Sequence, residues 1–379
     1  MNDKIYRIAQ FGTYDIESLG DTSFPKMLAY GLRKQNFPVE IELFSMTENE
    51  TPYNGNSHVY SFAQFPERQA YASFDAVILG GGEFIHFAPM SVIIGGVKTA
   101  YPRGYIWKEP IRMAKEAGVP VILNCVGVSY DLSPSEQEEL GSYLDGAALV
   151  SVRDVFSHAR LRAAGIDGVL CVADNLWYMN EMYERESLDT LRAEIAEKTK
   201  RDLSTPYIIV QYGTTRNAAA LARGLIAFKR ETGLRVLLMP VNYCHEDREG
   251  MRLLAEAGAG EFEVVGDYFE PAELIAVISG ASAFVGTSLH GNLTAASYGV
   301  PFVGIDMYPS FVSKMDGIFT MIGCEDYLVP SEANVKAALS ACLADEGRRA
   351  FVGEKIRACQ TALDKHFEKV VNDLKGGAE

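Results

Sequence analysis

AFVGTSLHGNLTAASYGVPFVGID, residues 283–306, contains the fold in miniature. An apolar run breaks at Gly286 and restarts at Pro301, on either side of a small-residue segment with one histidine. Residues 283–285 and 302–305 are short β-favouring runs, whereas Leu289, Leu293, Ala296 and Tyr298 recur at helical spacing up to the stop at Gly299. The stretch therefore reads strand, loop, helix, strand, and His290 falls in the first turn of a helix that follows a strand. In an open α/β sheet, ligands bind outside the carboxyl ends of the strands, where the N–H groups of a helix start can receive an anion. A candidate site thus comes with the fold.

Working outward, the same cycle recurs along most of the chain. Strands are predicted at 5–11, 39–44, 75–79, 119–124, 148–152 and 169–172, with helices at 24–34, 106–117, 134–144 and 155–164 between them. Between 180 and 205 the pattern changes to a charged helical run, ERESLDTLRAEIAEKTKRD, closed by Ser204, Thr205 and Pro206. A second series follows, with strands at 207–211, 235–240 and 262–265 and helices at 217–231, 246–257 and 271–280, before the opening stretch completes it. Beyond Pro330 two helices are predicted, 331–343 and 346–374, with no strand between them. Strands alternating with helices imply parallel sheets built from βαβ units. The expected organisation is a Rossmann-like domain over 1–185, a helical junction over 186–205, a second Rossmann-like domain over 206–330, and terminal helices over 331–379 that pack across the domains.

With 379 residues the chain exceeds the usual span of one hydrophobic core, in keeping with two domains. A formal charge of −15 argues against broad adhesion to nucleic acid or anionic lipid, but a local pocket of arginine and helix N-termini can still hold a phosphorylated small molecule. Residues 1–7 lack the apolar core of a signal peptide and no apolar run reaches membrane-spanning length, so a cytoplasmic location without stable membrane insertion is expected. The six cysteines contain no C-x-x-C pair, and neither a metal site nor a disulfide framework is expected.

Several residues at predicted strand ends are candidates for chemistry. Gly20 and Asp21 close a polar loop after the first strand, where capping of the next helix competes with a ligand-facing role. Gly80, Gly81 and Gly82 follow the strand 75–79 and let the backbone approach another group without side-chain obstruction, with Glu83 and His86 just downstream. Arg153, in Ser151-Val152-Arg153-Asp154, brings a planar guanidinium that can grip a carboxylate or phosphate with two donors. His290 can exchange a proton near neutral pH, with Thr287 and Ser288 before it and the small Gly291 after it. Lys314 follows the loop 306–313 and is positioned to reach the same edge.

Taken together, these segments resemble the polysaccharide pyruvyl transferase family. The resemblance rests on Gly20-Asp21, DAVILGGGEF at 75–84, PVILNCVGVS at 120–129, LVSVRDVFSHARLRAAGI at 149–166, VADNLWYM at 172–179 and GTSLHGNLTAASYGVPFVGID at 286–306, in that order. It implies two Rossmann-like domains with parallel sheets facing a central cleft, a GT-B-like α/β fold. It also implies transfer of a pyruvyl group from phosphoenolpyruvate, as co-substrate and without a cofactor, to two hydroxyls of one sugar on a cell-surface glycan precursor. The donor side is expected in the second domain and the acceptor side in the first. By the same resemblance His290 is the general acid, Arg153 holds the donor anion and Lys314 stabilises charge, with Gly20, Asp21, Gly81, Gly82, Glu83, Ser288 and Gly291 lining the substrates. A lipid-linked acceptor would bring the protein to the inner face of the membrane.

The chain departs from the family pattern at two places. Ser288 stands two positions before the histidine, where arginine is frequent, and Asn175 follows Asp174 where proline is frequent. Arg216, in the loop after strand 207–211, is the cation expected to replace the missing arginine. A glycosyltransferase with a nucleotide-sugar donor in the same fold is the alternative. Acceptor choice is assigned to loops 47–64 and 84–102, which carry no readable code, and the oligomeric state is not legible.

Overall fold

The computed structural model describes residues 4–94, 97–213, 217–244, 246–309 and 312–376. The chain divides into two compact units, Met1–Asn175 with Ala358–Glu379, and Leu176–Arg357. In chain order the first contains β1 (Tyr6–Phe11), α1 (Phe24–Lys34), β2 (Val39–Ser45), β3 (Val59–Ser61), α2 (Phe65–Ala72), β4 (Ala76–Leu79), β5 (Met90–Ile94), β6 (Val97–Tyr101), α3 (Tyr105–Glu116), β7 (Val121–Val126), α4 (Pro134–Leu144), β8 (Leu149–Val152), α5 (Val155–Ala163) and β9 (Leu170–Cys171). The second contains α6 (Met179–Met182), α7 (Arg185–Thr199), β10 (Tyr207–Gln211), α8 (Ala218–Thr232), β11 (Arg235–Leu238), α9 (Asp247–Ala257), β12 (Glu263–Val264), α10 (Pro271–Ser279), β13 (Ala283–Gly286), α11 (Leu289–Ser297), β14 (Phe302–Ile305), α12 (Lys314–Met321), β15 (Leu328–Val329) and α13 (Val335–Ala344). The last helix, α14 (Glu346–Gly376), spans the division at Arg357 and Ala358.

Each unit is built on one parallel sheet. The first has seven strands in the order β3-β2-β1-β4-β7-β8-β9, and the second six in the order β12-β11-β10-β13-β14-β15. Central strands such as AVIL (β4), VILNCV (β7) and YIIVQ (β10) are buried at every position, as strands covered by helices on both faces must be. In both sheets the strand order reverses once, between β1 and β4 in the first and between β10 and β13 in the second. At such a reversal the flanking connections leave on opposite faces and open a crevice above the strand ends.

Local sequence explains how the helices start and stop. Ser133 and Glu136 form a reciprocal cap at α4 with Pro134 in its first turn, and Glu270 and Glu273 do the same at α10 with Pro271. Asp154 caps α5 by accepting the Ser157 N–H at 2.7 Å, and Gly233, at φ +74°, ends α8 in the left-handed region.

The predicted elements match closely for the regular cycles. The short or irregular ones, β3, α2, α12, β15 and the antiparallel hairpin β5–β6, arise in stretches the sequence reading leaves as loops. The charged run forms α7, which packs Leu188 and Ile195 inward and lies against α10 inside the second unit. The unit division itself falls earlier than the expected junction, at Asn175 and Leu176. The terminal part of α14 joins the first unit through Phe367, packed against Gly31 of α1, and through His366, whose Nε2 lies 2.8 Å from Asn124 Oδ1. Burial pushes the His366 imidazole down to about 4, so it is neutral in that contact. No helix among the described residues is long and apolar enough to cross a membrane.

Candidate active site

In the second unit the crevice between β10 and β13 is organised by a buried side chain at the end of β10. Gln211, 1% exposed, accepts the Ser288 N–H at 2.8 Å through Oε1 and donates to Asp247 Oδ1 at 3.0 Å through Nε2. Asp247 Oδ2 in turn accepts the N–H groups of Val241 and Asn242 at 3.0 and 2.9 Å, which fixes the loop after β11. Thr287 Oγ1 accepts the Gly213 N–H at 3.1 Å and so joins the loop after β10 to the loop after β13. Two glycines make this possible: a Cβ at Gly213 would lie 2.7 Å from Asp247 Oδ1, and one at Gly286 would lie 2.8 Å from Gln211 Oε1.

This network sets the start of α11. Ser288 is its N-cap, with Oγ accepting the Gly291 N–H at 3.2 Å and receiving Asn242 Nδ2 at 3.3 Å. Asn292 ties the turn back to the Gly286 and Ser288 carbonyls at 3.0 and 2.8 Å. Gly291 is small because the Phe284 ring occupies the space a Cβ would need, at 2.4 Å. His290, half-buried, is thereby held in the first helical turn above the strand ends. Ser288, which stands where arginine is expected, performs a capping task that a guanidinium does not. Lys314 is exposed at the first position of α12, which follows β14, the neighbour of β13, and packs against α11. Arg216 lies outside the described residues.

In the first unit, the crevice between β1 and β4 brings Gly20-Asp21 and the triple glycine together. Asp21 receives Thr13 Oγ1 on Oδ1 at 2.7 Å and Ser18 Oγ on Oδ2 at 2.6 Å, so two hydroxyls orient the carboxylate. Gly82, at φ +89°, lies in the left-handed region beside it, where a Cβ would be in ordinary van der Waals contact, 3.5 Å from Asp21 Oδ1. Gly80, at φ +112°, offers its carbonyl to Gln10 Nε2 at 3.1 Å and to the Tyr14 hydroxyl at 2.9 Å. A Cβ at Gly81 would enter the Phe24 ring at 2.5 Å. Glu83 is half-buried beyond this turn, and His86 has Nδ1 3.1 Å from the Ala88 carbonyl, with burial pushing its imidazole below the ordinary range.

Arg153 follows β8 in the same unit and is 1% exposed. Its Nη1 donates to Asp174 Oδ2 at 3.2 Å and its Nε lies 3.8 Å from Asp154 Oδ2, while Asp154 is itself engaged by Ser157. Gly127 lies against the guanidinium, where a Cβ would come within 2.9 Å of Nε and Nη2. Neither of those two nitrogens has a hydrogen-bond partner within the protein. The guanidinium is thus enclosed and charge-balanced on one side, with Nε and Nη2 buried against Gly127.

The residues that organise these edges were largely invisible in the sequence. Gln211 is a polar residue at the end of an apolar strand, the one signal that marks it. Asp247 sits in a charged helix start and reads as an ordinary cap. Among the described residues, no group of three or more His, Cys, Asp or Glu side chains is placed to hold a metal ion.

Solved structures with the same architecture span nearly the whole chain. UDP-GlcNAc 2-epimerase from Neisseria meningitidis, bound to UDP-GlcNAc, has a TM-score of 0.60 at 8% identity and covers 95% of this chain and 100% of its own. A glycosyltransferase from Rickettsia africae has a TM-score of 0.59 at 11% identity, covering 99% of each chain. Anabaena HepE, in complex with UDP and glucose, has a TM-score of 0.57 at 9% identity, covering 96% of this chain and 99% of its own. At such identities the likeness concerns the fold, which is the α/β GT-B type with two Rossmann-like units and parallel sheets. No curated protein sequence matches the chain. A family model does: that of polysaccharide pyruvyl transferase matches residues 17–307, taking in both strand-end crevices with Arg153 and His290, and the chain belongs to this family of transferases.

Proposed function

We propose that the protein transfers the pyruvyl group of phosphoenolpyruvate to two hydroxyls of one sugar in a cell-surface polysaccharide precursor, closing a cyclic ketal and releasing phosphate. The observation that carries this reading is the position of His290, a half-buried imidazole in the first turn of α11 at the strand-order reversal of the second unit. It lies within the stretch matched to the family.

In this reading His290 gives a proton to the methylene carbon of the donor, and C2 becomes electrophilic. A sugar hydroxyl adds to C2 and loses its proton. The second hydroxyl then adds at C2 as the bond from C2 to the phosphate oxygen breaks; phosphate leaves with the bonding pair and takes up the proton of that hydroxyl. No oxidation or reduction occurs, and no cofactor is required. The donor carries a carboxylate and a phosphate, for which the second unit offers the N-terminus of α11 and the Lys314 ammonium; Arg153, in the first unit, is proposed for the same anion on the family resemblance alone. Gly20, Asp21, Gly81, Gly82 and Glu83 would present a close backbone and an oriented carboxylate to the acceptor. Cytoplasmic work on a lipid-linked acceptor at the inner membrane face is part of the same proposal.

His290→Ala should keep the fold and lower turnover roughly 10²–10⁴-fold, the range of a lost general acid. Near-wild-type turnover of that variant would overturn the assignment. A second reading, a nucleotide-sugar glycosyltransferase, draws on the UDP-sugar ligands of the structural neighbours. Thermal unfolding with each ligand separates the two, because a ligand that binds the native state raises the transition temperature. Stabilisation by phosphoenolpyruvate supports the first reading; stabilisation by UDP-glucose alone favours the second.

A further inference from the structure

The terminal part of α14 is held to the first unit by a polar contact that the reaction above leaves unused. Residues 358–376 lie with that unit, and Leu363, Phe367 and Val370 on this part of the helix are fully buried. The rest of the attachment is apolar or sits at the rim, where Lys34 of α1 pairs with Asp364 at 2.7 Å and Gln35 Nε2 donates to the Asp364 carbonyl at 3.3 Å. His366 differs. It is 3% exposed, and its Nε2 lies 2.8 Å from Asn124 Oδ1 on β7 and 3.4 Å from Ser151 Oγ on β8.

These partners fix the tautomer of the ring. Ser151 Oγ gives its proton to the Leu123 carbonyl at 2.9 Å and receives the Cys125 N–H at 2.9 Å, so toward the imidazole it accepts, as does the carbonyl oxygen of Asn124. Nε2 therefore carries the hydrogen and Nδ1 the lone pair. Nδ1 is buried and has no hydrogen-bond partner in the protein. A proton added there would create a buried charge and an N–H with no acceptor, so the docked helix admits the neutral ring alone. The surrounding groups do not relieve this. On α14 itself the Lys369 ammonium adds, after burial, a like charge that disfavours the imidazolium. On β7 the Cys125 thiol, 3.9 Å from Ser151 Oγ, is neutral because burial pushes it up to about 12, and on β8 the facing group is the Ser151 hydroxyl. On α1 the Lys34 ammonium is engaged with Asp364.

We propose that His366 makes the docking of residues 358–376 sensitive to protons: this end of α14 is held on β7 and β8 by a neutral imidazole and is released as acid protonates the ring in the undocked helix. An undocked imidazole takes up its proton at the ordinary value of about 6.5, whereas the docked ring is held down near about 4. Because the docked value is the lower one, docking is at full strength above the ordinary value and weakens as pH falls from there toward the docked value. Between pH 7.5 and pH 5.5 the linkage raises the undocking equilibrium constant about tenfold.

The test follows amide hydrogen exchange of the full chain at pH 7.5, 6.5 and 5.5, corrected for the intrinsic pH dependence of exchange, in the wild type and in His366→Gln. Glutamine offers an amide N–H at a reach similar to that of Nε2 and does not titrate, so the bond to Asn124 is kept while the proton linkage is removed. In the wild type, protection of residues 358–376 should fall about tenfold from pH 7.5 to pH 5.5, and in His366→Gln it should change by less than about twofold. Protection that is constant in the wild type, or that falls equally in both proteins, overturns the proposal. NMR of the wild type with ring-labelled histidine keeps the test decisive if His366→Gln does not fold. The His366 ring should remain the neutral Nε2–H tautomer throughout this range, and a ring that titrates between pH 7.5 and pH 5.5 overturns the proposal as well.

Discussion

Replacing Gln211 with leucine should destabilise the second unit far more than the loss of one polar side chain suggests. The leucine fills similar volume but removes the acceptor for the Ser288 N–H, at 2.8 Å, and the donor to Asp247 Oδ1, at 3.0 Å. Both partners are buried, at 8% and 2% exposure, so water does not replace what is lost. A buried neutral group left without its partner costs about 1–3 kcal/mol and a charged one more, which gives about 3–6 kcal/mol for the pair. For a unit of this size each kcal/mol shifts the midpoint by about 2–4 °C, so a fall of roughly 6–24 °C is expected. Gln211→Glu adds a signature that simple loss of packing lacks. Its new carboxylate faces the Asp247 carboxylate at the 3.0 Å separation now bridged by an N–H, and one of the two must hold a proton. The folded pKa of the pair then lies above the unfolded value. The penalty is absent below the unfolded range, grows as pH rises through the folded value, and is full at neutral pH. Thermal scans of wild type, Gln211→Leu and Gln211→Glu at pH 7 and pH 5 check both parts. A Gln211→Leu midpoint within about 1 °C of wild type, or a Gln211→Glu deficit unchanged by pH, would refute the view that this network holds the start of α11.

Two further outcomes follow from close packing and charge balance. Gly250→Ala places a Cβ 1.9 Å from the Tyr212 carbonyl oxygen, so α9 must move off the β10 loop, and a loss of about 3 kcal/mol or more is expected in denaturant titration. Gly141→Ala in α4, with open space around its Cβ, is the control and should gain roughly 0.5–1 kcal/mol. Arg153→Met leaves the buried Asp174 and Asp154 without their shared cation and should cost about 3–5 kcal/mol at neutral pH, less once the carboxylates are protonated in acid. Stability scans across pH check this, and a pH-independent loss would point to packing alone.

Much of the architecture was legible because parallel sheets write themselves locally. A strand buried on both faces is an apolar run, a helix has a 3.6-residue period, and caps and glycines mark the joins, so α1, α4, β10 and β14 were predicted at the residue where they occur. The hairpin β5–β6, α12 and the two-residue β15 escaped for the complementary reason: their sequences lack a period long enough to read, and their form is set by what they pack on. At the strand ends of each unit, Gly20-Asp21 and the triple glycine in the first and His290 in the second were legible as polar or small residues interrupting an apolar pattern. Arg153 was legible as a cation at a strand end, whereas its enclosure between Gly127, Asp154 and Asp174 was not.

The sequence by itself determined where strands end and helices begin, and therefore which residues stand at the carboxyl edge of each sheet. Only the tertiary structure decided which of them meet. Gln211 reaches Asp247 across 36 residues and Ser288 across 77, and Thr47 reaches Asp15 across 32, because strands far apart in the chain lie side by side in the sheet. Local propensity depends on neighbours within a few positions and contains no record of strand order. The reversal between β1 and β4, and again between β10 and β13, is what brings isolated loop residues to one strand edge.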